Sequence, residues 1–387
     1  MTLKHKIKLA LYGLILLGVA ARIYLLPHIS LDMKVYLIPW YDYIAARGAW
    51  AALGEEFSNY TPPYLYLLAL ATLGKGFFSK VTAIKLLSIV FDFSNAYLVF
   101  RIVKLQAQKE YLPLAAAALF LCLPTVALNS SAWGQADSIY AFFILASLFY
   151  LLQDKPLPAL ILFGVAFAFK AQAVFLLPFL FLLTFKKRIP WQDYLLVPIV
   201  YVIMMIPSLM AGRSFSSVLS VYFEQAETFQ SLSMKAPNLY LFISNEYYIP
   251  VLYFGMAWTA LAAFLWAVGY ALQIKKMSRE TLLLCAVVSV AMIPFFLPKM
   301  HERYFYLMDI LTFILAFYIP RLWAPAVGAQ LVSSMTYFVF LAISPQKTPS
   351  ALGAVFLILA AVINTFLVGY LLWQQYKFVR SQNQRQT

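Results

Sequence analysis

Residues 298–306 read PKMHERYFY, between TLLLCAVVSVAMIPFFL (281–297) and LMDILTFILAFYI (307–319). Lys299, His301, Glu302 and Arg303 crowd into five positions, while each flank is an apolar run. An apolar run of roughly 17–25 residues is what a helix needs to cross the hydrocarbon core of a bilayer. The charged segment therefore reads as the boundary between two membrane helices, 281–297 and 304–320. That reading decides the fold, because the rest of the chain repeats it.

Hydrophobic residues make up 63% of the chain and charged residues 11%, against about 25% charged in soluble domains. Further apolar runs cover 7–26, 81–100, 112–128, 137–153, 157–170, 171–186, 193–210, 250–274, 322–343 and 351–374. The pair 157–170 and 171–186 has the alternative of one long bent helix. The pattern predicts an all-α polytopic transmembrane protein, a single transmembrane domain over 1–387 with about 11–13 membrane helices. The basic start and apolar core of MTLKHKIKLALYGLILLGVAAR resemble a signal peptide; they read as an uncleaved first span. Cys122 and Cys285 both fall in apolar runs and form neither a zinc motif nor a disulfide framework.

The net charge of +14 is distributed unevenly. With a cytoplasmic N-terminus and alternating spans, the inner flanks hold Lys4, Lys6, Lys8, Arg101, Lys104, Lys109, Lys155, Lys186, Lys187, Arg188, Lys275, Lys276, Arg279, Arg321, Lys377, Arg380 and Arg385. Only Glu110, Asp154, Asp193 and Glu280 oppose them. The excess basic charge lies inside, as the positive-inside rule requires, and both termini are cytoplasmic. The basicity reports orientation in a membrane and implies no nucleic-acid partner. This topology requires segment 62–78, PPYLYLLALATLGKGFF, to be a half-helix or re-entrant piece rather than a full crossing.

Four segments then face outward. The first loop, 27–62, carries Asp32 and Asp42; within it Leu37, Trp40, Tyr41 and Ile44 are spaced for an amphipathic helix over 36–53 lying on the membrane surface. SAWGQADS (131–138) contributes Gln135 and Asp137, the latter alternatively a helix cap. AFKAQA (168–173) places Lys170 and Gln172 at an apolar boundary, where an ammonium faces water, a partner or a ligand, or snorkels to the interface. The fourth is PKMHERYFY. If it opens a helix, Lys299 and Arg303 share one face, and His301 meets Tyr304. Such cations suit a phosphate; an ion-pair network through Glu302 is the alternative. Asp92, inside a span, is a supporting residue that pairs with Lys85 or Lys170. A second long outer loop runs over 211–249.

One carboxylate facing several cations at a membrane boundary suits group transfer on a lipid-linked substrate. Asp32 would act as general base on an acceptor hydroxyl, with a lipid phosphate leaving toward His301, Arg303, Lys299 or Lys170. The residues require no cofactor; a divalent metal is allowed but not indicated, since no metal-ligand motif or EF-hand loop occurs. With neither a P-loop nor a dinucleotide fingerprint, a lipid-phosphate donor is favoured over a nucleotide sugar.

Taken in order, Asp32 with its aromatic helix, NYTPPYLYLL, WGQADS, FKAQAVFLLPF and KMHERYFY resemble integral-membrane glycosyltransferases of the C type (GT-C). The nearest likeness is to bacterial proteins similar to the second mannosyltransferase of GPI-anchor synthesis, and the dolichyl-phosphate-glucose-dependent glucosyltransferases share the motif order. The resemblance implies a polyprenyl-phosphate sugar donor, inversion, an extracytoplasmic site and a bacterial inner or plasma membrane location. It assigns the base role to Asp32 and the donor-phosphate region to the segment holding His301 and Arg303. Lys34 follows Asp32 where the family often has a second acid, and Thr61 precedes the proline pair. The acceptor is a glycan, glycolipid or protein hydroxyl. A lipid-linked-sugar flippase or transporter, and a non-enzymatic assembly factor, are the competing readings; no internal repeat supports a transporter.

Overall fold

The computed structural model describes residues 3–343 and 350–384; Arg385, counted among the inner-flank basic residues, lies outside them. The chain is an all-α polytopic membrane protein. Among the described residues, seven helices are long and apolar enough to cross a membrane: Lys4–Leu25, Lys80–Lys104, Trp191–Met210, Asn245–Gln273, Arg279–Phe296, Pro320–Ile343 and Ala351–Gln384. Leu112–Leu121 and Pro124–Trp133 form a pair bent by 49°, at a break just before Pro124. Shorter apolar helices cover Asp137–Leu151, Pro156–Phe169, Ala171–Phe185 and Tyr306–Tyr318. Each apolar run of the sequence is thus helical. Helix Pro62–Thr72 has 11 residues, or about 16 Å of rise against about 30 Å of hydrocarbon, so it is a half-length piece. Pro62 and Pro63 start it, where missing N–H groups cost nothing, and Thr61 before them is extended.

Lys170 ends the helix Pro156–Phe169, and a 3-10 turn over Ala171–Leu176 leads into Leu177–Phe185. The alternative of one long bent helix over 157–186 therefore does not hold.

The chain divides into two compact units. The first comprises the described residues up to Leu151, with Leu157–Ala173 and Tyr194–Thr228. The second comprises Leu152–Pro156, Val174–Asp193 and the described residues from Phe229 onward. In the first, helix Leu3–Leu25 runs from an exposed Lys4–Glu110 ion pair at one end to Asp32 just past the other. In the second, helix Arg279–Phe296 separates two ends. At its start lie the Arg188–Asp154 pair, the Lys186 bond to the Ile274 carbonyl and the Arg279 bond to the Leu152 carbonyl. At its finish lies PKMHERYFY.

Two expectations are corrected. The amphipathic segment of the first loop forms a π-helical turn, Met33–Leu37, then helices Ile38–Arg47 and Ala49–Leu53. Its apolar face does not lie on the membrane: Leu37, Trp40, Tyr41 and Ile44 are buried in a core with Tyr64, Leu65, Leu68 and Ile84. Amphipathicity records that one face avoids water, and protein side chains satisfy that as well as lipid does. Asp92, likewise, pairs with neither Lys85 nor Lys170. Its Oδ2 accepts from Arg22 at 2.8 and 3.0 Å and from Ser130 at 2.6 Å. Arg22 also donates to the carbonyls of Gly18 and Leu121, stitching the first helix to the break before Pro124.

Candidate active site

In the first unit, Asp32 stands half-buried one residue before the π-helical turn Met33–Leu37. It is not used as a cap. Its Oδ2 accepts from Trp133 Nε1 at 2.8 Å and from Gln135 Nε2 at 2.6 Å. Two donors on one oxygen fix the carboxylate plane. The sequence motifs of residue 32 and of WGQADS therefore meet in one hydrogen-bonded group.

Several local features set this geometry. Ser30 Oγ donates to the Trp133 carbonyl at 2.9 Å and accepts from Met33 N at 3.1 Å, tying the loop to the motif. Lys85 Nζ donates to the carbonyls of Leu25, Leu26 and His28, gathering the ends that helix geometry leaves unsatisfied. The neighbouring ammonium acts on His28: burial first, then the charge of Lys85, lowers the imidazole below its ordinary value. Leu128–Trp133 is a second π-helical segment, closed by Gly134 at φ +80°. A Cβ at Gly134 would meet Met33 Cε at 2.4 Å. Glycine is thus required both for the left-handed turn and for the approach of the first loop. Ser88 Oγ holds the Gln135 carbonyl at 2.6 Å.

The network continues through the remaining motifs of this unit. Tyr60 Oη donates to Gln135 Oε1 at 3.3 Å, and the Tyr60 ring lies 6.0 Å from Lys170 Nζ. Lys170 forms a buried ion pair with Asp137, whose Oδ2 accepts from Asn129 Nδ2 at 2.8 Å. The Asn129 carbonyl in turn accepts from Gln135 N. Lys170 thus neither snorkels nor reaches Asp92, and Asp137, in the first turn of helix Asp137–Leu151, is its ion-pair partner. Gln172, two residues along the chain from Lys170, is buried. Asp42 stands apart, paired with Lys80 at 2.7 Å, with half of its side chain exposed.

In the second unit, PKMHERYFY does not open a helix; Tyr306–Tyr318 begins after it. Met300–His301 instead pairs in parallel with Ser233–Met234. Lys299 N donates to the Leu232 carbonyl at 2.8 Å and Glu302 N to the Met234 carbonyl at 3.1 Å. Lys299 and Arg303 therefore do not share a helix face. Lys299, at φ +63°, donates to Tyr248 Oη at 2.6 Å. The His301 and Tyr304 rings do meet, 5.1 Å between centroids. Glu302 is buried between His301 and Arg303, with Arg303 Nη1 at 3.4 Å. Burial works to raise its carboxyl, but hydrogen bonding and charge from His301, with the charge of Arg303, outweigh it and hold the group below its ordinary value.

The pairing adds a residue that sequence reasoning missed. Lys235 forms a β-bridge with His301, is 9% exposed, lies over the Phe340 ring at 5.4 Å and has φ +61°. Two lysines held in the left-handed region, each costing about 1–2 kcal/mol, flank one short ladder. The available signal was the single lysine of the long loop 211–249, standing before Ala236-Pro237.

Residues 57–297 match the model of glycosyltransferase family 87. The chain belongs to this family. The match covers Tyr60, WGQADS and Lys170; Asp32 precedes it and Lys299 to Tyr304 follow it. No curated protein matches the chain. As a family 87 member the protein is a GT-C-like membrane glycosyltransferase, and the polar group around Asp32 is its candidate catalytic centre.

Proposed function

We propose that this family 87 glycosyltransferase moves a hexose, mannose by its resemblance, from a polyprenyl phosphate to an acceptor hydroxyl. The observation that carries the reading is the clamped Asp32. A carboxylate oriented by Trp133 and Gln135 is built to receive a proton in a fixed direction. The acceptor oxygen attacks the sugar C1 as Asp32 takes its proton. The C1–O bond to phosphate breaks, C1 inverts, and polyprenyl phosphate leaves with the electron pair. Electrostatic donors act most effectively on charge as it develops; the resemblance gives that role toward the donor phosphate to His301 and Arg303, and Lys299 and Lys235 of the same ladder carry the charge that suits it. Lys170, matched by Asp137, holds Tyr60 and the WGQADS turn in place.

The site is extracytoplasmic, in a bacterial plasma membrane, with both termini cytoplasmic. Support comes from the second unit, where Lys186, Arg188 and Arg279 collect at the end of helix Arg279–Phe296 opposite the cation ladder. Incubating purified protein with mannosyl polyprenyl phosphate and following release of polyprenyl phosphate tests the reaction. Asp32→Asn should abolish transfer while leaving the protein folded; undiminished transfer would remove Asp32 from the base role. Maleimide labelling of Lys34→Cys and Gln106→Cys, both exposed positions, in a background lacking Cys122 and Cys285, should report opposite sides.

A further inference from the structure

A second polar group in the first unit lies on the strand of chain that leads away from Asp32 through Tyr60. Residues 53–59 run along residues 208–225. Ser208 Oγ donates to the Leu53 carbonyl at 2.5 Å, and a Cβ on Gly54 would come within 2.2 Å of the Ala211 carbonyl. Gln225 Nε2 donates to the Asn59 carbonyl. Residues 60 and 61 then pass Phe169 and Lys170, since Thr61 Oγ1 donates to the Phe169 carbonyl at 3.2 Å. The helix Phe215–Glu227 is fixed over this strip by Tyr201 Oη on the Val218 carbonyl and Tyr222 Oη on the Phe167 carbonyl.

At the head of that helix Arg213 is only 5% exposed. Its Nε donates to Ser217 Oγ at 3.0 Å, while Nη1 is buried with no hydrogen-bond partner. Burial lowers its affinity for the proton, and the charges of exposed Glu56 and Glu224 act in the opposite direction. Neither acid approaches within the 4.0 Å of an ion pair among the described residues. Asn59 Oδ1, on the strip, and Gln172 Oε1, two residues along the chain from Lys170, are buried acceptors with no hydrogen-bond partner. Buried polar atoms of this kind ordinarily find partners, so these three need an explanation.

We propose that this strip is the acceptor subsite and that it binds a polyhydroxylated headgroup, a sugar or polyol, rather than an anion. The chemistry follows from the donor and acceptor inventory. A hydroxyl gives one proton and accepts another, so a polyol satisfies the guanidinium donor and the two amide acceptors together. The carboxylates of Glu56 and Glu224 accept hydroxyl protons and repel an anionic headgroup. Tyr60 joins the strip to Gln135 and so to Asp32, which lets one hydroxyl of the bound acceptor reach the base. The Asn59-Tyr-Thr61 sequon has its Asn59 Oδ1 buried and Thr61 1% exposed, which fits ligand contact better than glycosylation.

This proposal rests on the glycosyl-transfer reading, but its test separates the two. Saturation-transfer NMR with methyl α-mannoside, on the full-length protein in detergent, measures sugar binding without chemistry. Wild type should give sugar signals that methyl phosphate does not displace. Arg213→Met and Asn59→Leu should weaken them about tenfold, the effect of one charged or buried hydrogen bond. Lys80→Ala, at the exposed pair with Asp42 that stands apart from the strip, should leave them unchanged. Arg213→Lys, which keeps the charge, controls for folding together with the melting temperature. No sugar signal in wild type, equal signals in folded Arg213→Met, or displacement by methyl phosphate would overturn the subsite. Sugar binding lost in Arg213→Met, in a protein inert toward mannosyl polyprenyl phosphate, would keep the subsite and remove the donor assignment.

Discussion

Trp133 Nε1 lies 2.8 Å from Asp32 Oδ2, across 101 residues of chain. The indole is fully buried, so its N–H has no water to fall back on and the bond fixes both partners. Trp133→Phe keeps most of the ring volume and removes the donor. A hydrogen bond to a charged group contributes about 1.5–3 kcal/mol. The transfer rate constant should fall by about ten- to a hundredfold with the donor KM unchanged, a split that steady-state kinetics reads directly. An unaltered rate constant would show that Asp32 does not depend on this clamp.

Gly134 joins the clamp to the first loop at φ +80°. Gly134→Ala meets two obstacles: the left-handed backbone, costing about 1–2 kcal/mol, and Met33 Cε at 2.4 Å. Adding Met33→Ala removes only the second. The single variant should melt lower and transfer slowly, and the double variant should remain below Met33→Ala by the backbone part. Equal melting of Gly134→Ala and wild type would mean that the loop does not pack here as described.

Arg22 and Asp92 form an ion pair that is 3% and 0% exposed. Removing one partner strands a charge in an apolar interior, typically at a cost of about 3–5 kcal/mol. Arg22→Met should destabilise strongly in thermal melts. Pairing it with Asp92→Leu should recover much of the loss, because no charge is left behind. Additive losses in the double variant would contradict a coupled pair.

Lys235 tests charge against backbone. Lys235→Met keeps the left-handed residue and removes the ammonium; Lys235→Gly removes both the charge and the strain. Donor KM should rise about tenfold in each, the effect of one charge-assisted contact, while only the glycine variant melts higher. A donor KM that does not move in either variant would take Lys235 out of phosphate binding.

Glu302 carries a pH signature. A carboxyl depressed on folding binds fewer protons in the folded state, so its contribution to stability rises with pH. That contribution is complete above the ordinary value of 4.5 and is lost as pH falls through the lower folded value. Wild type should therefore lose melting temperature more steeply than Glu302→Gln across that acid window. Parallel profiles would indicate that His301 and Arg303 do not hold the carboxylate.

The membrane helices were legible because span length and apolar composition are properties of a contiguous segment, and each apolar run is helical. The motif order was legible for the same reason: NYTPP, WGQADS and FKAQA keep their spacing along the chain. Which residues touch was not. Asp92 lies two turns from Lys85 along the same helix, yet its partner is the guanidinium of Arg22, from another helix. Leu37, Trp40, Tyr41 and Ile44 advertise an apolar stripe without saying whether lipid or protein will cover it. Lys299 and Arg303 would share a face only in a helix, and strand pairing with Ser233–Met234 claimed that backbone instead. Lys235 became a neighbour of His301 through the same pairing. Sequence periodicity is a one-dimensional quantity that sets the state of a segment; partners are chosen by the packing of segments far apart in the chain, and only the tertiary structure holds that information.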